Sequence, residues 1–179
     1  MAGHLEPFCL TDLILAEGRN FDTITAAQTV RPYHNLRANL ALTNTAYYLA
    51  EIVDSLTHER EKHTAVFHLL KSALEHIDEN LDELMLSYFE VNILAELGFQ
   101  PELFECSLCQ QKAIAGQNQF SFENSSLVCT NCRRDHTCRH ISDEAIKALR
   151  IFLKHDLPVV RKFQTDRELT KEIKNFTTD

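Results

Sequence analysis

The chain has 179 residues, 44% of them hydrophobic, enough to bury a core as one domain or two small ones. Only four glycines and four prolines occur, which excludes a chain dominated by tight turns and favours helix. The net charge of −8 argues against a uniformly phosphate-binding surface, but it is unevenly spread: residues 1–105 carry 6 Lys and Arg against 17 Asp and Glu, whereas residues 106–179 carry 12 against 9. Phosphate contact is therefore expected of the second part alone. No apolar run reaches the roughly eighteen residues of a membrane span, and no charged-then-apolar leader opens the sequence. The expectation is a cytoplasmic protein without membrane contact, whose thiols stay reduced.

In chain order, Leu5 to Ala16 and Phe21 to Val30 read as strands around a Glu17-Gly18-Arg19-Asn20 turn. Leu13, Ile14 and Leu15 are consecutive, which predicts a strand covered on both faces. Beyond Arg31-Pro32-Tyr33 the period changes: Leu42, Ala46, Leu49, Val53 and Leu56 predict a helix over about 34–57. Val66, Leu69, Leu70, Ala73, Leu74 and Ile77 predict another over about 62–79. The third helix carries two apolar faces, Leu84-Tyr88-Val91-Leu94 and Phe89-Ile93-Leu97, and is expected to be the buried centre, with Leu94 and Leu97 in its core. Gly98 suits its C′ position and Pro101 blocks its extension. Further on, Ser142-Asp143-Glu144 is an N-cap with two acidic residues for a helix reaching about His155. Asp156-Leu157-Pro158 breaks it, and Thr165 to about Phe176 forms the last helix, with Leu169, Ile173 and Phe176 on one face.

Between the third and fourth of these helices lie Cys106-Ser107-Leu108-Cys109, nineteen residues, and Cys129-Thr130-Asn131-Cys132. Each pair turns two sulfurs toward one point, so Cys106, Cys109, Cys129 and Cys132 together suit a closed tetrahedral zinc site of structural type. Lys112, Arg133 and Arg134 lie within three residues of a ligand and offset the charge of four thiolates. Two disulfides, a rubredoxin-type iron centre, or chance are the alternatives. Missing leader sequence weighs against the first, and Gln110 and Arg133, where a rubredoxin loop carries glycine, weigh against the second. His136, Cys138 and His140 follow closely and are the candidates for a second or substitute ligand, but the four-cysteine set is already complete without them.

A phosphate-binding loop needs clustered glycines, and Gly3, Gly18, Gly98 and Gly116 are each isolated. There is no Gly-x-Ser-x-Gly elbow either, so no enzyme activity is expected. His58, His63, His68 and His76 sit among polar neighbours and read as solvated helix faces, and Cys9 as a small buried hydrophobe. Arg133, Arg134 and Arg139 at the end of the cysteine segment, with Lys147, Arg150 and Lys154 spaced along one helical face, are candidate nucleic-acid contacts. An ordinary solvated face is the competing reading.

The segment Phe89-Glu90-x3-Leu94-x2-Leu97-Gly98-Phe99-x-Pro101-x4-Cys106-x2-Cys109, with Phe120-Ser121 and Cys129-x2-Cys132, resembles the RecO family of bacterial recombinational DNA repair proteins. Tyr48-x2-Glu51, Leu56 and Leu5-x-Pro7-Phe8 extend the likeness over nearly the whole chain. The resemblance implies a mainly α protein: a helical body (33–104 and 141–179) with an inserted four-cysteine zinc-ribbon-like module (105–140), preceded by strands of an incomplete OB-type barrel (1–32). The family's barrel is five-stranded, so the chain is expected to begin near its third strand and to stop inside or just before the family's last helix. Asn124-Ser125-Ser126 stands where the family carries glycine, with asparagine expected to supply the positive φ. The resemblance further implies one structural Zn²⁺, binding and annealing of single-stranded DNA, binding of double-stranded DNA, and contacts with RecR and the tail of single-strand binding protein. It also implies help in loading the RecA recombinase and a nucleoid-associated location in the cytoplasm. A zinc-bearing protein-interaction scaffold without nucleic-acid contact, or a redox protein using the paired cysteines, are the alternatives.

Overall fold

A computed structural model of the chain describes residues 5–58, 61–80, 82–133, 138–163 and 165–178. They divide into two compact units, within residues 1–81 and 82–179.

The first unit opens with strands β1 (Leu10–Ala16) and β2 (Thr23–Arg31), an antiparallel pair with irregular register at Leu10/Thr11 and Ile14/Leu15. Leu13, Ile14 and Leu15 are all exposed, as is Phe21, so the expectation of a strand covered on both faces is corrected: among the described residues β1 and β2 form a sheet of two strands, and these side chains face solvent. The predicted helix over 34–57 is two helices, α1 (His34–Ala38) and α2 (Leu40–Leu56). Asn39 between them is extended, and its side chain accepts from the Ala41 and Leu42 N–H groups at 2.9 and 3.4 Å. An asparagine oxygen satisfies these otherwise orphaned donors and so starts a new helix. Helix α3 (Thr64–Glu79) packs on both. Asp78 binds α1, accepting from the Leu36 N–H at 2.8 Å, while Arg31 at the end of β2 pairs with Glu75 at 3.2 Å. The core is Tyr33, Leu36, Leu49, Val66, Leu74 and Ile77. His76 is buried with them, contrary to its expected solvated place; His68 is exposed, and His58 lies just beyond the end of α2.

In the second unit α4 (Glu83–Glu96) packs against α5 (Asp143–Lys154) and α7 (Arg167–Thr178), with the short α6 (Leu157–Val160) beside α5. Pro158 does not simply break α5: it lies in the first turn of α6, where its missing N–H costs nothing. Phe89, Met85, Ile93, Leu149, Phe152 and Ile173 form the core. The two faces of α4 make it central, as expected, but Leu94 is 39% exposed and Leu97 half-buried. Both stand at the end of the helix, where the chain turns away. Gly98 (φ 89) makes that turn: its N–H bonds Ala95 O at 3.0 Å and the Phe99 N–H bonds Leu94 O at 2.8 Å, a Schellman closure that needs a residue free of the Cβ penalty. Between α4 and α5 runs a three-stranded antiparallel sheet of β3 (Asn118–Ser121), β4 (Ser126–Cys129) and β5 (Cys138–His140), ordered β4-β3-β5. No helix among the described residues is long and apolar enough to cross a membrane.

Candidate metal centre and basic face

The four cysteines are brought together by two knuckles and one strand. In the first knuckle the Cys106 N–H bonds Gln111 O and the Gln110 N–H bonds Cys106 O, each at 2.8 Å, with Gln110 at φ 58. Gln110 thus takes the left-handed conformation that glycine would adopt without strain, so a missing glycine after the cysteines does not prevent the knuckle. The second begins at the end of β4, where the Cys132 and Arg133 N–H groups bond Cys129 O at 3.0 and 3.1 Å. The Ser107 N–H bonds Leu127 O at 3.0 Å, and Leu127 and Val128 are buried, so apolar packing of β4 fixes one knuckle against the other. The turn before β4 is closed by Ser125 at φ 46, not by the asparagine expected there.

All four sulfurs lie within 4.8 Å of one another, and Cys109 Sγ is 3.9 Å from Cys129 Sγ. Metal–sulfur bonds of about 2.3 Å in a tetrahedron set sulfurs about 3.8 Å apart, so the cluster fits one four-coordinate ion. Cys106 is buried, which raises its thiol pKa, but N–H groups of Cys129, Cys109 and Leu108 outweigh this and draw it down to about 6. Cys132 is pushed up to about 12, chiefly by the neighbouring sulfurs of Cys109 and Cys129. Four sulfurs this close resist carrying four negative charges, and a cation relieves that conflict. Cys138 lies in β5 opposite Ser121, outside the cluster. Arg134 and His136 lie outside the described residues.

The candidate nucleic-acid residues fall into different settings. Arg133 and Arg139 are exposed; Arg139 lies over the Phe122 ring at 5.0 Å and, with His140, lines a cavity of about 330 Å³. Lys147 and Lys154 are exposed on α5, and neither makes an ion pair with a described residue. Arg150, between them, is half-buried: its Nε bonds Leu103 O at 2.9 Å, Nη2 bonds the same oxygen, and its guanidinium lies 4.8 Å from the centre of the Phe104 ring. Charge and spacing alone do not separate a tethered arginine from its solvated neighbours. A second polar junction had no sequence sign: Glu172 of α7 accepts from Ser142 N–H at 2.7 Å and Oγ at 2.6 Å, so the N-cap of α5 is itself clamped. Ser142 Oγ caps α5 as expected, accepting from the Ala145 N–H at 3.1 Å.

A helical unit carrying a three-stranded insert, with four cysteines placed to hold one metal ion and two exposed lysines on one face of α5 in the same unit, defines the class. The chain belongs to the RecO family. The family description "Recombination protein O C terminal" matches residues 37–179. The DNA repair protein RecO of Dehalococcoides mccartyi is 37% identical over 174 residues, 97% of this chain and 69% of that protein. The RecO proteins of a Roseiflexus species and of Bacillus pumilus are 32% and 29% identical, over 89% and 94% of this chain and 57% and 66% of their own lengths.

Proposed function

We propose that this chain acts in recombinational DNA repair as a binding and annealing protein, without enzyme activity of its own. The observation that carries the reading is the exposed Lys147–Lys154 face of α5, which lies inside the segment matched to the RecO C-terminal family and in the same unit as the cysteine cluster. Exposed cations along a helix can follow a phosphate backbone without reading bases. Zinc is the ion we assign, because an all-sulfur tetrahedral set is the donor chemistry of a structural zinc site. A bound zinc ion would supply a cross-link between the two knuckles. Cys106, Cys109, Cys129 and Cys132 would hold it, while Arg133 and Lys112 offset the net negative charge.

The β1–β2 hairpin we assign to an OB-type barrel: it is antiparallel, and its exposed Leu13, Ile14 and Phe21 are apolar surface that a fuller barrel would cover. To the same reading we assign contacts with RecR, with the tail of single-strand binding protein and, through them, with RecA, in a cytoplasmic, nucleoid-associated location; membership of a DNA repair family supports this assignment. The same exposed apolar hairpin favours the second reading, a protein-interaction scaffold with no nucleic-acid contact. Annealing separates the two. Mixing complementary oligonucleotides with the chain, in the absence of any nucleoside triphosphate, is expected to speed duplex formation, and added ATP to change nothing. A chain that holds its metal but leaves the annealing rate at its protein-free value would support the scaffold.

A further inference from the structure

Phe104 is 52% exposed, although its neighbour Leu103 is fully buried. Its backbone is nonetheless held: the Phe104 N–H bonds the Glu102 carboxylate at 2.7 Å, and Phe104 O accepts from the Ala113 N–H at 2.8 Å. One side of the ring is covered by the Arg150 guanidinium, itself fixed by two bonds to Leu103 O. The ring is therefore positioned, yet about half of the residue faces solvent. Phe120, Phe122 and Phe176 pack edge-on or tilted against one another, with centroids 4.4–5.4 Å apart, whereas Phe104 forms no ring pair with a described residue.

Arg150 belongs to α5, and Lys147 and Lys154 stand three residues before and four after it, on the same helical face. A fixed aromatic ring thus stands at the midpoint of a cationic strip. The acidic neighbour Glu102 is engaged by two backbone N–H groups, of Phe104 and Glu105, which offsets part of its charge. Cations that attract phosphates, combined with an aromatic face that accepts a base, are the two components of a single-strand track. A duplex keeps its bases stacked on each other and can use only the cations.

We propose that Phe104, backed by Arg150, is a base-stacking platform that gives the α5 face a preference for unpaired strands over duplex. This rests on the DNA-binding reading above and adds a residue that discriminates between the two forms. The sequence contains no tryptophan, so Phe104→Trp places a single indole reporter on the platform. In the full zinc-loaded chain, oligothymidylate is expected to quench that fluorescence, and a duplex of equal length, bound to the same saturation, to leave it unchanged. Phe104→Leu keeps the apolar bulk without the flat ring, and is expected to lower oligothymidylate affinity by about fivefold or more while leaving duplex affinity unaltered. Circular dichroism and zinc content matching the parent chain establish that each variant is folded. The platform is overturned if oligothymidylate binds without quenching, or if Phe104→Leu leaves both affinities unchanged or lowers them equally. Failure of the DNA-binding reading itself looks different: the parent chain then binds neither form at low salt, and both proposals fall together.

Discussion

Cys106 and Cys109 hold opposite positions in one knuckle. Cys106 is 2% exposed and accepts the Cys129 N–H through its sulfur at 3.4 Å, whereas Cys109 is exposed at the tip. A serine at either position keeps a hydrogen-bonding atom but removes a thiolate, and a soft tetrahedral site does not tolerate the exchange. The purified chain is expected to carry about one equivalent of zinc, and Cys106→Ser to carry far less, as read by elemental analysis of protein kept reduced. Zinc-free protein from the parent chain would refute the assignment. At this scale the cysteine spacing was legible because two Cys-x-x-Cys turns admit few other arrangements. The roles of Arg150 and Ser125 were not, because a guanidinium held by a carbonyl 47 residues away, or a positive φ on serine, leaves no local pattern.

Helix α4 shows how far periodicity reaches. Apolar residues on two faces marked it as central, and Phe89 and Ile93 are indeed fully buried. Its last turn departs from the pattern because packing against α5 and α7, not the helix's own period, decides which end is covered. Phe89→Ala should therefore cost about 3–5 kcal/mol, and Leu94→Ala, at 39% exposure, less than about 2 kcal/mol. Urea denaturation of the two variants measures the difference, and equal losses would place Leu94 in the core after all. In the other unit the apolar stripe starts only at Leu42, so the helix drawn back to residue 34 ran across the Asn39 cap without an apolar position to support it. His76 lies three residues after Ala73 and seven after Leu69, on the stripe itself, and that spacing was the available sign of its burial.

Across the whole molecule the basic residues are local. Residues 82–179 hold 12 Lys and Arg against 15 Asp and Glu, so the second unit has a net charge of −3 even though the stretch from Cys106 onward is positive. Attraction for phosphate must then come from the α5 face and the knuckle arginine, not from a unit-wide field, and few counterions should be displaced. The central claim is that this face binds single-stranded DNA, and its salt dependence tests it most directly. Anisotropy of a labelled oligonucleotide at about 50 and 200 mM salt should give a slope of log K against log salt near −2, roughly 0.7 for each of three contacts, and Lys147→Ala/Lys154→Ala should flatten it by about 1.4. Arg150 is left intact in that variant because it holds the Leu103 carbonyl. An unchanged slope and affinity in the folded double variant, or no binding by the parent chain at the lower salt, would contradict the account.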